Sequence, residues 1–314
     1  MNAPNATSQP RTSGSELSIS FQGAPGSYSH VAARLFLAKR GKELGLPTES
    51  DAAKDIKISF NSSRTFQEVF EKVATGASQF GVIPLANSSV GAIMPAWELS
   101  LQYQVSLISD VYVPIHHQLI GLPNTDPKTV KTVISHPVAL KQCIKFLNTM
   151  PWMQPTAFWD TSGAAFHVKE TNDPTLVAIA GEPAARLTGL SILARDIEDF
   201  THNETRFGII APVSVAMDAV TKNFPARPKL TCCVELDPDT VEFAPFVAAT
   251  IGRHNAKVSN IIPLCIPERT WQYRYILELE LSSNQQTQGI WTAIRETASK
   301  ARIMGIYSSL RMQS

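Results

Sequence analysis

At 314 residues the chain is longer than one hydrophobic core comfortably fills, so one large bilobed unit with a smaller companion, or two to three compact units, is expected. With 44% hydrophobic and 18% charged residues its composition is ordinary globular, which excludes a fibrous or largely disordered class. Twenty-eight basic against 27 acidic side chains leave a formal charge of +1 with no long run of one sign, which argues against nucleic acid and membrane partners and for a small molecule.

Residues 1–16 are polar, rich in Asn, Ser, Thr and Pro, and read as a disordered tail without the apolar centre of a secretory signal. From Leu17 a short strand to Phe21 enters the turn Gly23-Ala24-Pro25-Gly26, and Ser29 to Arg40 carries apolar residues at helical spacing. Ile56 to Phe60 alternates like a strand, Thr65 to Thr75 reads as a helix, and Phe80 to Leu85 is a short apolar strand. The order βαβαβ favours an α/β sheet with ligands at the strand ends.

A second block runs from about Pro95 to Gly181. Its strands are expected near Val105–Ile108, His116–Gly121, Thr132–Ser135, Thr156–Phe158 and Leu176–Ala180, with helices near Ala139–Leu147 and Ser162–Thr171. After a helix over Glu182–Leu187, the apolar segment Thr205–Ile210 is placed back in the first block. This gives a first lobe of about 17–94 and 188–212, a second of about 95–187, and a cleft crossed twice by the chain. Residues 213–228, ending Pro225-Ala226-Arg227-Pro228, read as a linker, and 229–314 reads βαββαβ, the order of a ferredoxin-like module.

Several polar groups fall at strand ends. Gln22 to Ser29 joins a strand to a helix start whose free N–H groups suit a carboxylate, although glycine turns of this kind more often only close the chain. Asn87-Ser88-Ser89 ends an apolar strand, with Gly91 permitting close backbone approach, although such a triplet is more often turn chemistry than a site. Ser135-His136-Pro137 and Gln142 are placed to look into one cleft, while Asp160-Thr161-Ser162 is readable as a plain helix cap. Thr205 and Arg206 sit where the chain re-enters the first lobe; a carboxylate-binding arginine and a surface salt bridge are both open readings.

Other chemistries lack a motif. GxSxG, a Rossmann GxGxxG, a Walker loop and HExxH are all absent. Cys143, Cys232, Cys233 and Cys265 include no CxxC, which points to a reducing cytoplasm rather than to zinc or a disulfide framework. No stretch reaches about 18 unbroken apolar residues, and the adjacent His116 and His117 are expected to alternate across a strand.

In combination and in order, these segments resemble the prephenate dehydratase family from Leu17 to the C-terminus. Phe21 to Ser29 is similar to its N-terminal glycine motif, Pro84 to Gly91 to its Pro-x-Glu-Asn-Ser segment, and Ser135-His136-Pro137 with Gln142-Cys143 to its Ser-His-Pro block. Thr205-Arg206-Phe207 matches its Thr-Arg-Phe signature. The resemblance implies a bilobed catalytic domain like the type II periplasmic binding proteins, then a ferredoxin-like ACT domain that senses phenylalanine in many members. It also implies a homodimer or homotetramer without metal or cofactor. Carried over by position, Thr205, Asn87, Ser135 and Gln142 are catalytic, and Ser27, Tyr28, Ser29, Ser88, Thr161, Ser162, Arg206 and Phe207 are candidates for contact with prephenate. In that implied mechanism Thr205 donates to the departing hydroxyl, and Arg206 and the Ser27–Ser29 helix start hold carboxylates. The chain departs from the family at Ala86, where a glutamate is usual, and in the ACT-like region at Thr240-Val241-Glu242-Phe243 and Ile262-Pro263-Leu264-Cys265. These ACT departures weigh against phenylalanine as effector. Rival readings are an arogenate dehydratase, a non-aromatising prephenate decarboxylase, and an inactive ligand-binding or sensor homologue.

Overall fold

The computed structural model describes residues 16–46, 57–222, 224–237, 239 and 241–309, so the expected N-terminal tail up to residue 15 and Thr240 lie outside the described residues, while Glu16 already belongs to the first strand. The chain opens with β1 (Glu16–Gln22), α1 (Tyr28–Arg40), β2 (Lys57–Ser63), α2 (Phe66–Ala74), β3 (Phe80–Asn87) and β4 (Gly91–Ala92), then α3 (Met94–Gln102) and β5 (Val105–Pro114). There follow β6 (Gln118–Gly121), β7 (Thr132–Ser135), α4 (Pro137–Gln142), α5 (Ile144–Asn148), β8 (Gln154–Ala157), α6 (Thr161–Thr171), β9 (Leu176–Ala180), α7 (Glu182–Thr188) and β10 (Ser191–Ala194). The rest is β11 (Glu204–Pro212), α8 (Val213–Lys222), β12 (Lys229–Glu235), α9 (Phe243–Phe246), β13 (Lys257–Cys265), β14 (Tyr273–Glu280), α10 (Asn284–Thr297) and β15 (Lys300–Tyr307).

Two sheets organise the molecule. The first runs β13-β14-β12-β15-β5-β11-β3-β1-β2 with β4 paired to β3, and the second runs β10-β6-β9-β7-β8. In β1 the odd positions Leu17, Ile19 and Phe21 are buried, and α1 covers that face with Ala32, Ala33, Phe36 and Leu37. On the opposite face α2 comes so near that a Cβ on Gly81 would lie 2.8 Å from both Val73 and Ile210.

Sheet membership corrects the expected lobe boundary. β5 belongs to the first sheet, between β11 and β15, and β10 to the second, so the chain crosses near residues 115–117 and again near 197–203. Because β5 is buried almost throughout, its sequence carries no alternation to say which sheet receives it. The segment 213–228 is likewise not all linker, since its first ten residues form α8 against β5 and β11. The helix expected over 139–147 breaks at Cys143. There Asp199 enters from the second crossing: its N–H donates to the Gln142 carbonyl (2.6 Å), and its Oδ1 accepts from Lys145 N (3.0 Å).

The C-terminal segment is ordered β13-β14-β12-β15, with every pairing antiparallel, and α10 packs against it. It joins the first sheet edge-on, β15 lying parallel to β5 at Gly305 and Leu107. A Cβ on Gly305 would meet the Leu107 carbonyl oxygen at 2.5 Å, which reserves that position for glycine.

Candidate active site

Where the two sheets face each other, polar side chains from distant segments form one connected group. β3 ends at Asn87 and pairs with β11 at Thr205, so both side chains stand at the same strand end. The Asn87 Nδ2 donates to Thr205 Oγ1 at 2.9 Å and to Asn203 Oδ1 at 2.7 Å, with a longer contact to the Glu204 carbonyl at 3.2 Å. Its Oδ1 accepts from the Ser89 N–H at 2.9 Å and from the Ser89 hydroxyl at 2.6 Å. From the second sheet's side, Gln142 at the end of α4 donates from Nε2 to Ser89 Oγ at 2.7 Å, and its Oε1 lies 2.9 Å from His117 Nε2. Asn87, Asn203 and Thr205 are buried, while Ser89 is exposed at the cleft. The group is therefore uncharged and offers hydroxyl and carboxamide donors.

Of the four residues expected to be catalytic, Thr205, Asn87 and Gln142 come together here and Ser135 does not. Ser135 is wholly buried and donates to the Ile179 carbonyl at 2.6 Å, inside the second sheet. Arg206 requires a larger correction. Successive residues of a strand face opposite ways, so with Thr205 toward the cleft Arg206 points toward the C-terminal segment. Its Nε donates to Asp110 Oδ2 at 2.8 Å, its two terminal nitrogens to Glu278 at 2.6 Å each, and one of them also to the Tyr307 hydroxyl at 2.8 Å. Burial opposes the guanidinium charge, but Tyr307, Glu278 and Asp110 outweigh it and hold Arg206 well above its ordinary range. A guanidinium so engaged is not available to a substrate carboxylate. Phe207 is corrected as well, lying 3% exposed in the core beside α1.

The other expected contacts mostly bind the protein to itself. Ser27 caps α1, accepting from the His30 N–H, and Ser29 is buried in the first turn. The Tyr28 hydroxyl donates to the His116 carbonyl and accepts from its N–H at 2.9 Å, tying α1 to the first crossing. Ser88 clamps the second crossing, donating to the His202 carbonyl and accepting from the Glu204 N–H. Asp160 caps α6 by accepting from the Gly163 N–H, and it reaches across to accept from the Ala24 N–H at 2.8 Å. Beside it, half-buried Thr161 opens the helix and Ser162 donates to the Pro25 carbonyl. The glycine turn and the α6 start thus meet each other, with Gly23 at φ +106° and too close to Asp160 for any Cβ.

Cysteine chemistry has no support at the cleft: burial pushes the Cys143 thiol up to about 12, with Asp199 and Glu198 adding to the shift. Ser89, Asn203 and His117 were not singled out from the sequence for this site. Ser89 lies within the Asn87-Ser88-Ser89 triplet and Asn203 two residues before Thr205, so the motifs held them without giving them a role, while His117 carries only the signal of an alternating strand pair.

A family model described as prephenate dehydratase matches residues 19–214, a span that holds every residue of this group. The chain belongs to the prephenate dehydratase family. Among curated relatives, the bifunctional chorismate mutase/prephenate dehydratase of Escherichia coli (strain K12) is 28% identical over 93% of this chain and 70% of its own length. The chloroplastic arogenate dehydratase/prephenate dehydratase 1 of Arabidopsis thaliana is 29% identical over 93% of this chain and 72% of its own. The solved structure of prephenate dehydratase from Arthrobacter aurescens, in complex with L-Phe, superposes with a TM-score of 0.73 at 19% identity, over 93% of this chain and 90% of that one. This last likeness concerns the prephenate dehydratase fold.

Proposed function

We propose that this chain catalyses the decarboxylating dehydration of prephenate to phenylpyruvate, a lyase step in phenylalanine biosynthesis, with Thr205 as the proton donor. The ring carboxylate leaves as CO2, its bonding electrons enter the ring, and the C4–O bond breaks. Aromatisation drives both losses. Overall one proton is taken up as the departing hydroxide becomes water, so the enzyme has to position the substrate and supply one donor at the leaving oxygen. The observation that carries the reading is the 2.9 Å bond from Asn87 Nδ2 to Thr205 Oγ1. Because Thr205 accepts there, its own proton remains available to the cleft. A neutral hydroxyl is a weak acid, so donors that stabilise charge developing on the leaving oxygen matter more than the acidity of the threonine alone.

Thr205→Ala is expected to lower kcat by about 100-fold or more, the range for losing a positioned proton donor, while Thr205→Ser keeps most of it. The check is phenylpyruvate formation by both purified variants; near-full turnover by the alanine variant removes Thr205 from this role.

In this reading the C-terminal segment is a ferredoxin-like regulatory unit of the ACT type, for which the βαββαβ order and the sheet order β13-β14-β12-β15 are the support. The bilobed unit before it is a type II periplasmic-binding-protein-like catalytic domain, supported by two sheets joined through two crossings. Ile262 and Leu264, in one of the departing stretches, are packed into the core shared with α2 and α3, which weighs against phenylalanine binding at that stretch without naming another effector. A cytoplasmic homodimer or homotetramer completes the reading, with four free cysteines in keeping with a reducing compartment. Among the described residues no helix is long and apolar enough to cross a membrane.

A further inference from the structure

The hydrogen bonds that end at Thr205 have a direction, and main-chain groups set it. The Ser89 N–H donates to Asn87 Oδ1 at 2.9 Å and Asn87 Nδ2 faces the Glu204 carbonyl at 3.2 Å, so the Asn87 carboxamide has one orientation. An amide oxygen only accepts, hence the Ser89 hydroxyl, 2.6 Å away, gives its proton to Asn87. Ser89 Oγ then accepts from Gln142 Nε2 at 2.7 Å, which turns the Gln142 oxygen toward His117 Nε2 at 2.9 Å. That nitrogen must carry a proton.

The surroundings of His117 agree with a neutral ring protonated at Nε2. It is 2% exposed, and its Nδ1 meets no partner among the described residues. Burial pushes its pKa down and His116 adds to this, against opposing contributions from Gln142 and Glu198. Its main chain is pinned where the two crossings meet: the N–H donates to Glu198 Oε2 at 2.8 Å and the carbonyl accepts from the Ile197 N–H at 2.9 Å. The ring is thus fixed by the crossings, Gln142 belongs to the second sheet's side, and Ser89, Asn87 and Thr205 belong to the first.

We propose that His117 is a positioning residue for the dehydration: by donating from Nε2 it holds the Gln142 amide N–H on Ser89 across the cleft, keeping the Ser89 proton on Asn87 and the Asn87 N–H on Thr205. The inference rests on the reading of Thr205 as proton donor. Without the imidazole N–H, the Gln142 carboxamide is free to turn its oxygen to Ser89. Ser89 then has one proton for two acceptors, and Asn87 loses its shortest donor.

The test is steady-state kinetics with prephenate on the full chain. His117→Phe keeps the ring volume and removes the donor; His117→Gln returns an amide donor. These are compared with Gln142→Ala, the His117→Phe/Gln142→Ala double variant and Thr205→Ala. The phenylalanine variant is expected to lose about ten-fold in kcat, the scale of one hydrogen bond, with KM shifting by less than about two-fold and partial recovery in the glutamine variant. Because the ring acts through Gln142, the double variant should be no slower than Gln142→Ala alone. A wild-type kcat for His117→Phe, or a double loss equal to the product of the single losses, overturns the proposal. Should His117→Phe fail to fold, Gln142→Glu takes its place: a carboxylate cannot donate to Ser89, so an unchanged kcat there overturns it equally. Near-full turnover by Thr205→Ala defeats the underlying reading, whereas an inactive Thr205→Ala beside a normal His117→Phe defeats this proposal alone.

Discussion

Asn87 and Ser135 show how burial and bonding separate two polar residues that the sequence places side by side as strand-end groups. Asn87 holds three side-chain partners at the cleft, and its donation to Thr205 leaves the threonine proton uncommitted. Asn87→Asp keeps the shape, but an ionised carboxylate has no N–H for Thr205 or Asn203, and the threonine proton is drawn onto it. Its kcat is expected to fall by about 100-fold or more, as when one preorganised donor is removed from a water-poor site; a folded variant within about ten-fold of wild type would contradict that. Ser135 has one partner, the Ile179 carbonyl, and no cleft exposure. Ser135→Ala is therefore expected to cost about 1 kcal/mol in urea unfolding and to leave kcat within about two-fold. A folded alanine variant that has lost turnover would return Ser135 to the site.

At the scale of elements, the legible parts were those with a strong local pattern. β7 and β9 have the bounds expected from their short apolar centres, and the strand–turn–helix at Gly23 was plain from its glycines. What escaped had no such signature: α8 buries only Ala216, so its pattern passed for linker, and β5 is buried on both faces with Ser106, Ser109 and Asp110 among its apolar residues. Alternation along β11 did contain the news that Thr205 and Arg206 cannot share a face, but not which of them looks into the cleft. Which cap reaches which loop was also hidden, because Asp160 and Ala24 are 136 positions apart. Both Asp160 oxygens accept main-chain N–H groups, one within α6 and one on the opposite lobe. Burial raises the pKa of this carboxyl above its ordinary range, and those two bonds, with His136, offset only part of the rise. Asp160→Asn keeps one acceptor and turns an NH2 toward the other N–H, so it should cost about 1–2 kcal/mol, the usual scale of a lost cap. Because the bond lost first is the one between lobes, KM should rise more than kcat falls. Denaturant midpoints together with steady-state constants check this, and an unchanged KM would mean that the contact does not set the cleft.

Across the whole molecule, the seam between the C-terminal segment and the catalytic part is narrow in backbone terms and strong in charge. β15 and β5 pair at Gly305 and Leu107, with one further bridge between Asp110 and Ser309 just past β15, helped by Ser106 donating to the Met304 carbonyl and Arg302 donating to the Leu101 and Tyr103 carbonyls. Between them lies a buried set of Arg206 and Lys229 against Asp110 and Glu278, two cations and two carboxylates, with Tyr307 as a further acceptor. Replacing such a set by apolar groups is often neutral, but removing one partner strands a charge away from water and costs about 3–5 kcal/mol. Burial works against the Glu278 carboxylate, and Arg206 reverses this to hold it below its ordinary range, so Glu278 contributes as an anion. In Glu278→Gln the guanidinium next to Thr205 loses its bidentate acceptor, and the grip of β14 on β11 goes with it. Calorimetry should then resolve two thermal transitions in place of one, the earlier belonging to the segment from Lys229 onward. Phenylpyruvate formation should fall at temperatures between the two, because Thr205 shares its strand with the loosened arginine. A single transition at the wild-type midpoint would mean that apolar packing around Leu107, Met304 and Tyr307, rather than the ion set, joins the two parts.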